Sequence, residues 1–216
     1  MEITHLGHSC VLVEAGGARV LIDPGCYSSG WQGLDDLDAL FVTHQHADHA
    51  DPGALPQFVR SHPGLPVHVE ASVPSQLELP GARPLTVDET VAVKGLRVWV
   101  VGGRHAVIHP DIPRVGNVGL VISAADEPTL FHPGDSLETT PDGVDVLLVP
   151  LMAPWEKVWE TIDFVRAVGA SEAMPIHDGL LNERGYEMLS GHLARLTRTK
   201  IVTVRDPRPW TPHFER

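Results

Sequence analysis

Directly after the largely apolar run Leu37 to Val42, the chain reads Thr43-His44-Gln45-His46-Ala47-Asp48-His49. Three imidazoles and one carboxylate within six positions constrain the fold more than any other stretch. Neutral imidazole nitrogen and carboxylate oxygen are the ligands that borderline divalent metals prefer. While the backbone stays extended, His44 and His46 lie two apart and point to the same side. Once the chain turns, Asp48 and His49 address a second point in space. One short loop thus offers two adjacent half-sites, a His pair and an Asp-His pair. Neither is complete, so the fold must bring further ligands from distant segments. A solvated polar loop is the bland alternative, and this spacing of ligand types disfavours it.

The remaining candidates share a position: each follows a strand-like run. Ile3 to Glu14 and Arg19 to Ile22 form a hairpin around Ala15-Gly16-Gly17-Ala18. The first run is interrupted at Gly7-His8-Ser9, where a glycine marks a bend; His8 is either a site residue or a satisfied polar residue of the strand. The second ends at Asp23-Pro24-Gly25, which reads as a simple turn or as an acid that orients a ligating imidazole. Thr90 to Val93 and Leu96 to Val101 pair around Lys94-Gly95 and lead to His105, with His109 as its rival four residues on. Val118 to Ser123 and Thr129 to His132 lead to Gly134-Asp135. Val144 to Pro150 is apolar almost throughout, as a strand buried on both faces would be. A short run, Ala173 to Ile176, ends at His177. Strand ends gathered on one edge make a rigid site carried on loops.

Four helical segments are expected: Pro52 to Arg60, Val73 to Leu79, Trp155 to Val168 and Asn182 to Arg198. In the third, Val158, Ile162, Val165 and Val168 form an apolar stripe to which Trp159 also belongs. Lys200 to Val204 reads as a last strand. The polar loop Tyr27 to Gly33, with Trp31 as its large aromatic, reads as a cover over the site. His109 to Asn117 reads as a rim segment, with Arg114 and Asn117 as lesser substrate-contact candidates. His5 and His68 read as structural, and His132 as a core residue or one that supports a ligand from behind. The tail Arg205 to Arg216 packs either on the body or on a neighbouring subunit of a homo-oligomer.

The H-x-H-x-D-H pattern at His44, His46, Asp48 and His49 closely resembles the metal motif of the metallo-β-lactamase superfamily. The similarity extends along most of the chain, through the Gly-Asp turn at Asp135 and the late histidine at His177. It is strongest to the small single-domain branch that includes ascorbate-6-phosphate lactonase-like proteins. The resemblance implies an α/β (α+β) fold, the four-layered αββα sandwich, over residues 1–216 as one domain. It implies a first metal held by His44, His46 and His105 and a second held by Asp48, His49 and His177, with Asp135 bridging them. It also suggests that Asp23 orients a ligand and that His8 lies near the site's rim. Zinc is the expected metal, with manganese or iron(II) as substitutes.

Composition narrows the function. The 216 residues carry 16 basic and 28 acidic side chains, a formal charge of −12. Nucleic-acid partners usually need a basic surface, so none is expected. No apolar run is long enough to cross a bilayer, and no basic-then-apolar leader opens the sequence, so a cytoplasmic protein without a membrane partner is expected. Cys10 and Cys26 cannot build a disulfide framework. Neither a G-x-S-x-G elbow nor a G-x-x-x-x-G-K-[ST] phosphate loop occurs.

The expected activity is therefore hydrolysis of a small-molecule ester, lactone or phosphoester by a hydroxide shared between two metals. Asp48 and Asp135 are its catalytic acids, with Asp48 also able to take the nucleophile's proton. A phosphodiesterase of small or lipid-derived substrates is the first alternative. A non-catalytic metal- or ligand-binding protein is the alternative from another class, and a di-iron oxidoreductase the third.

Overall fold

The computed structural model describes residues 1–214; the last two residues of the tail, 215 and 216, lie outside them. In chain order the strands are β1 (Glu2–His5), β2 (Val11–Ala15), β3 (Ala18–Ile22), β4 (Ala39–Val42), β5 (Val67–Val69), β6 (Arg83–Pro84), β7 (Thr90–Val93), β8 (Leu96–Gly102), β9 (Val118–Ala124), β10 (Leu130–His132), β11 (Val146–Pro150), β12 (Glu172–Ile176), β13 (Lys200–Ile201) and β14 (Pro209–Trp210). Helices α1 (Leu55–Ser61), α2 (Val158–Val168) and α3 (Glu183–Leu196) lie among them. The first sheet runs β14-β1-β2-β3-β4-β5-β6 and the second β13-β12-β11-β10-β9-β8-β7.

Three apolar layers follow from strand alternation. Ala39 and Phe41 of β4 meet Val146 and Leu148 of β11 in the core between the sheets. Leu40 and Val42 face the other way, toward Leu55, Phe58 and Val59 of α1. Leu147 and Val149 turn to Ile162, Phe164 and Val165 of α2 and to Tyr186 and Leu193 of α3. Helix, sheet, sheet and helix therefore stack as the expected αββα sandwich. The uninterrupted apolar sequence of β11 has this cause: both its faces are covered, and all five of its residues are buried.

Strand direction decides where the site forms. β1 and β3 are both antiparallel to β2, and β3, β4 and β5 are parallel. In the other sheet β8 and β10 are both antiparallel to β9, while β10, β11 and β12 are parallel. Within each sheet, all the strands that precede a candidate ligand therefore run the same way.

Several local expectations differ. The segment Val73 to Leu79 forms only a one-turn 3-10 helix, Val73–Ser75; Pro80 disfavours helical backbone at Leu79, the residue before it. The last strand stops at Ile201. Part of the tail instead becomes β14, which pairs antiparallel with β1; that edge is covered within the chain. Trp31 is fully buried, its ring 5.4 Å from that of Phe58. It is a core residue under α1, and covers nothing. Trp159 and Val158 are exposed: α2 starts at Val158, so its first turn overhangs the layer, and the buried face is carried by Thr161, Ile162, Phe164, Val165 and Val168.

A backbone contact couples the turn after β3 to the histidine loop. A methyl group placed on Gly25 would lie 1.7 Å from the Asp48 carbonyl oxygen, and Cys26 N–H donates to the Ala47 carbonyl at 2.9 Å. Gly25→Ala is expected to cost about 3 kcal/mol in urea denaturation, the upper range for overpacking. Gly33→Ala, where the added carbon meets nothing within 4 Å, should stay within about 0.5 kcal/mol of wild type.

Candidate metal centre

Because β3 and β4 run parallel, Asp23 and Thr43 leave the sheet side by side. Asp23 is fully buried. Its carboxylate accepts from Thr43 N–H at 2.7 Å and from the Thr43 hydroxyl at 2.6 Å. Its Oδ2 also lies 2.7 Å from His49 Nδ1. That contact places the proton of His49 on Nδ1 and turns Nε2 inward. Thr43 C=O in turn accepts from Val118 N–H at 2.9 Å, tying the first residue after β4 to the start of β9 across the sheets.

The second sheet supplies the opposite wall. His105 Nδ1 donates to the Ala106 carbonyl at 2.7 Å and His177 Nδ1 to the Met152 carbonyl at 2.7 Å, so both rings turn Nε2 inward. Asn117 clamps the Gly134-Asp135 turn: its amide donates to Pro133 C=O at 2.9 Å and its oxygen accepts from Asp135 N–H at 2.9 Å. Asn117 is thus a buried holder of the turn rather than a surface group. Arg114 donates to the His105 carbonyl and pairs with Glu138.

Two groups of potential ligands result. His44, His46, His105 and Asp135 form one; His8, Asp48, His49 and His177 form the other, with one ligand atom from each residue within 4.8 Å of the others in its group. Asp135 joins them: its Oδ1 is 3.0 Å from His49 Nε2, and its Oδ2 is 3.4 Å from His105 Nε2 and 3.3 Å from His177 Nε2. The residues expected as ligands are therefore brought together, with Asp135 grouped with His44, His46 and His105 and in contact with both groups. His8 joins the second group directly, its Nε2 3.1 Å from Asp48 Oδ2. His109 lies outside both, exposed beside Asp111. His132 is buried behind the site, against the Ser9 carbonyl at 3.0 Å, and His68 stacks on Phe41.

Electrostatics sort these residues. Burial pulls the His44 imidazole well below its usual range, and the neighbouring His49 adds to it; burial and His105 do the same to His46. Both rings are neutral, the form that binds metal. Burial also opposes charge on His49 and His177, but Asp135 outweighs it in both, helped by Asp23 at His49, and both imidazoles are raised. Asp135 is fully desolvated yet held far below the usual carboxylate range by His49 and His177. Asp48 is lowered as well: burial opposes ionisation, but the His8 hydrogen bond and the His49 charge prevail. Protonated imidazoles thus balance the carboxylates where a cation would.

The donor set fits divalent metal. His105 Nε2, His177 Nε2 and Asp135 Oδ1 are buried and make no hydrogen bond of good geometry, meeting only ion-pair contacts at 3.0–3.4 Å around Asp135. Such groups are costly to leave unsatisfied, and all three face the shared centre. Three site residues also adopt positive φ without being glycine: His8 at 54°, Asp23 at 49° and His177 at 57°. Strain of this kind persists only where surrounding contacts hold it. It is the signal that separates His8 from a strand residue, and it is invisible in the sequence.

A fold of two facing sheets with this histidine-aspartate edge defines a class, and comparison with known proteins agrees. Residues 2–177 match the model described as the beta-lactamase superfamily domain. The chain belongs to the metallo-β-lactamase superfamily. It is 40% identical over 205 residues to Protein Rv0786c of Mycobacterium tuberculosis, covering 94% of this chain and 96% of that one. It is 27% identical over 233 residues to a UPF0173 metal-dependent hydrolase of Myxococcus xanthus, covering 95% and 81%. The metallo-beta-lactamase fold protein YhfI of Bacillus subtilis superposes with a TM-score of 0.76 at 17% identity, over 98% of both chains.

One carboxyl near the centre stands apart. Glu156 follows Trp155, and burial pushes it up to about 7 despite the hydrogen bond from the Thr161 hydroxyl; its Oε2 has no partner. A raised folded value favours the protonated acid, so its contribution to stability is complete below the unfolded value of about 4.5 and is lost as pH climbs toward 7. In metal-free protein, Glu156→Gln is expected to match wild type near pH 4.5. Its advantage should grow to roughly 3 kcal/mol by pH 8 and level off, measured by urea denaturation at each pH.

Proposed function

We propose that the protein is a metal-dependent hydrolase whose two ligand groups each hold a divalent cation, zinc first, with manganese or iron(II) as substitutes. The proposed substrate is a small ester, lactone or phosphoester. The single observation that carries this reading is Asp135: one buried carboxylate lies within 3.4 Å of imidazole nitrogens belonging to both groups. His44, His46 and His105 would hold the first cation, and Asp48, His49 and His177 the second, with Asp135 shared and His8 in reach of the second. Cations so placed supply Lewis acidity toward a carbonyl or phosphoryl oxygen and make water a nucleophile at neutral pH.

The chain's own groups do the rest. Asp48 is partly open to solvent, with its side chain 24% exposed, and it is ionised at neutral pH, so it can accept a proton from the attacking water. His8, at 3.1 Å, fixes that carboxylate's orientation. Asp23 fixes the tautomer of His49, and backbone carbonyls fix those of His105 and His177, so Nε2 is presented without reorganisation on binding. Trp155 donates its indole N–H to Asp135 Oδ2 at 3.1 Å and shields that side of the centre from water. The M. xanthus relative carries the name metal-dependent hydrolase, which agrees with this reading. A non-catalytic binder would not need the full ligand set or the open side at Asp48.

Chelator-stripped protein reloaded with zinc or manganese is expected to take up two metals per chain and to hydrolyse bis(4-nitrophenyl) phosphate or a simple γ-lactone. Asp135→Ala and Asp48→Ala should each lower the rate at least 100-fold. Asp23→Ala should weaken metal binding 10- to 100-fold, the usual loss when a ligand's orienting partner is removed. Failure to take up metal would sink the assignment, as would variants as active as wild type.

A further inference from the structure

Beside the metal centre lies a cavity of about 500 Å3 whose walls include Ala106, Val107, Leu137, Trp155, Trp159 and Phe164. Trp155 and Ala106 belong to both places. The Trp155 ring centre is 6.0 Å from that of His105 and 6.4 Å from that of His177. Ala106 N–H donates to the Asp135 carbonyl at 2.7 Å, and its own carbonyl holds His105. Trp155 thus lines the cavity and also touches the group of side chains where chemistry would occur. At the mouth, Trp159 and Val107 leave more than half of their surface to water. Large apolar side chains exposed together at a concavity are a common mark of a ligand surface.

Charge narrows the occupant. No lysine or arginine lines the cavity. Its polar lining includes Glu138, Glu160 and Asp163, each balanced by a cation outside the lining: Arg114, Lys157 and Arg166. A phosphate or carboxylate placed here would be desolvated against acids and would find no partner.

We infer that this cavity is the subsite for an uncharged, apolar part of the substrate, a compact hydrocarbon chain or ring attached to the scissile ester. This rests on the hydrolase reading above and gives it a substrate class: a neutral carboxylic ester or lactone with a hydrophobic arm rather than a phosphorylated small molecule. The length of the arm is set by the cavity, and burial of each methylene adds to binding.

The test uses zinc-loaded protein and esters with one small side: methyl acetate, methyl hexanoate and hexyl acetate, with monomethyl adipate as the anionic counterpart of methyl hexanoate. Rates are followed by pH-stat. At least one of methyl hexanoate and hexyl acetate should exceed methyl acetate in kcat/KM by 10-fold or more, since roughly threefold to fourfold per buried methylene is expected until the cavity is full. Monomethyl adipate should fall at least 10-fold below methyl hexanoate.

Ala167 is an exposed wall residue of α2. Ala167→Phe should abolish the chain-length preference and leave methyl acetate within twofold of wild type. Trp159→Lys, which sets a cation at the mouth, should narrow or invert the preference against monomethyl adipate. Binding of octan-2-one, a carbonyl that cannot be hydrolysed, is measured in parallel by calorimetry. Saturable binding in wild type that Ala167→Phe removes supports the subsite even if no ester turns over, a result that would count against the ester reading alone. Ester turnover with no chain-length preference and no ketone binding would overturn the subsite and leave the hydrolase intact.

Discussion

The buried carboxylate of Asp23 is the contact on which the site depends. It sits at the end of β3 with positive φ, out of reach of water, and accepts hydrogen bonds from Thr43 and His49. A buried carboxyl group without water must have its oxygens hydrogen-bonded. The backbone N–H and hydroxyl of Thr43 and one imidazole meet that need. In doing so they fix where the histidine loop leaves β4 and which nitrogen of His49 faces inward. Gly25 then brings the next turn against the Asp48–His49 peptide, leaving the loop little freedom. The candidate ligands of this loop are thus positioned by hydrogen bonds and steric contact.

Much of this was legible in the sequence because catalytic ligands and strand ends leave different marks on the same stretch. The apolar runs before Asp23, His44, His105, Asp135 and His177 reported the strands, and the residue type after each run marked a candidate for the site. What the sequence could not convey was direction. The runs place the ligands at strand ends, but parallel or once-reversed pairing is what puts those ends on one edge. His8 was ambiguous for a related reason: its role follows from a left-handed backbone that no composition reports. Asn117 looked like a rim residue because it lies among prolines and glycines, yet its side chain spans a buried turn.

The aromatic residues misled in both directions. Trp31 sits in a polar loop and is buried completely, because the loop folds back under α1 to close the outer layer. Trp159 lies within an apolar helical stripe and is exposed, because the first turn of α2 projects past the sheet. Periodicity identifies the face of a helix but not the length over which that face is covered. The same overhang that defeats the pattern at Trp159 creates the mouth of the cavity next to the metal centre.

Charge organises the two compartments differently. In the candidate metal centre Asp135 raises the imidazoles of His49 and His177, with Asp23 adding to it at His49, so protons are held there until something else supplies positive charge. Divalent cations would do so while satisfying the orphaned nitrogens of His105 and His177, and the protons would leave. In the cavity the acids are already balanced by their own cations, and the lining between them is apolar. A substrate with a polar reacting carbon and a neutral arm satisfies both compartments at once. A dianionic substrate would gain at the metals but lose in the cavity, where no group replaces its water. The two compartments share Trp155, whose indole edge binds Asp135 and whose ring forms the cavity wall. Its position therefore couples the reacting atoms to the arm that the cavity selects.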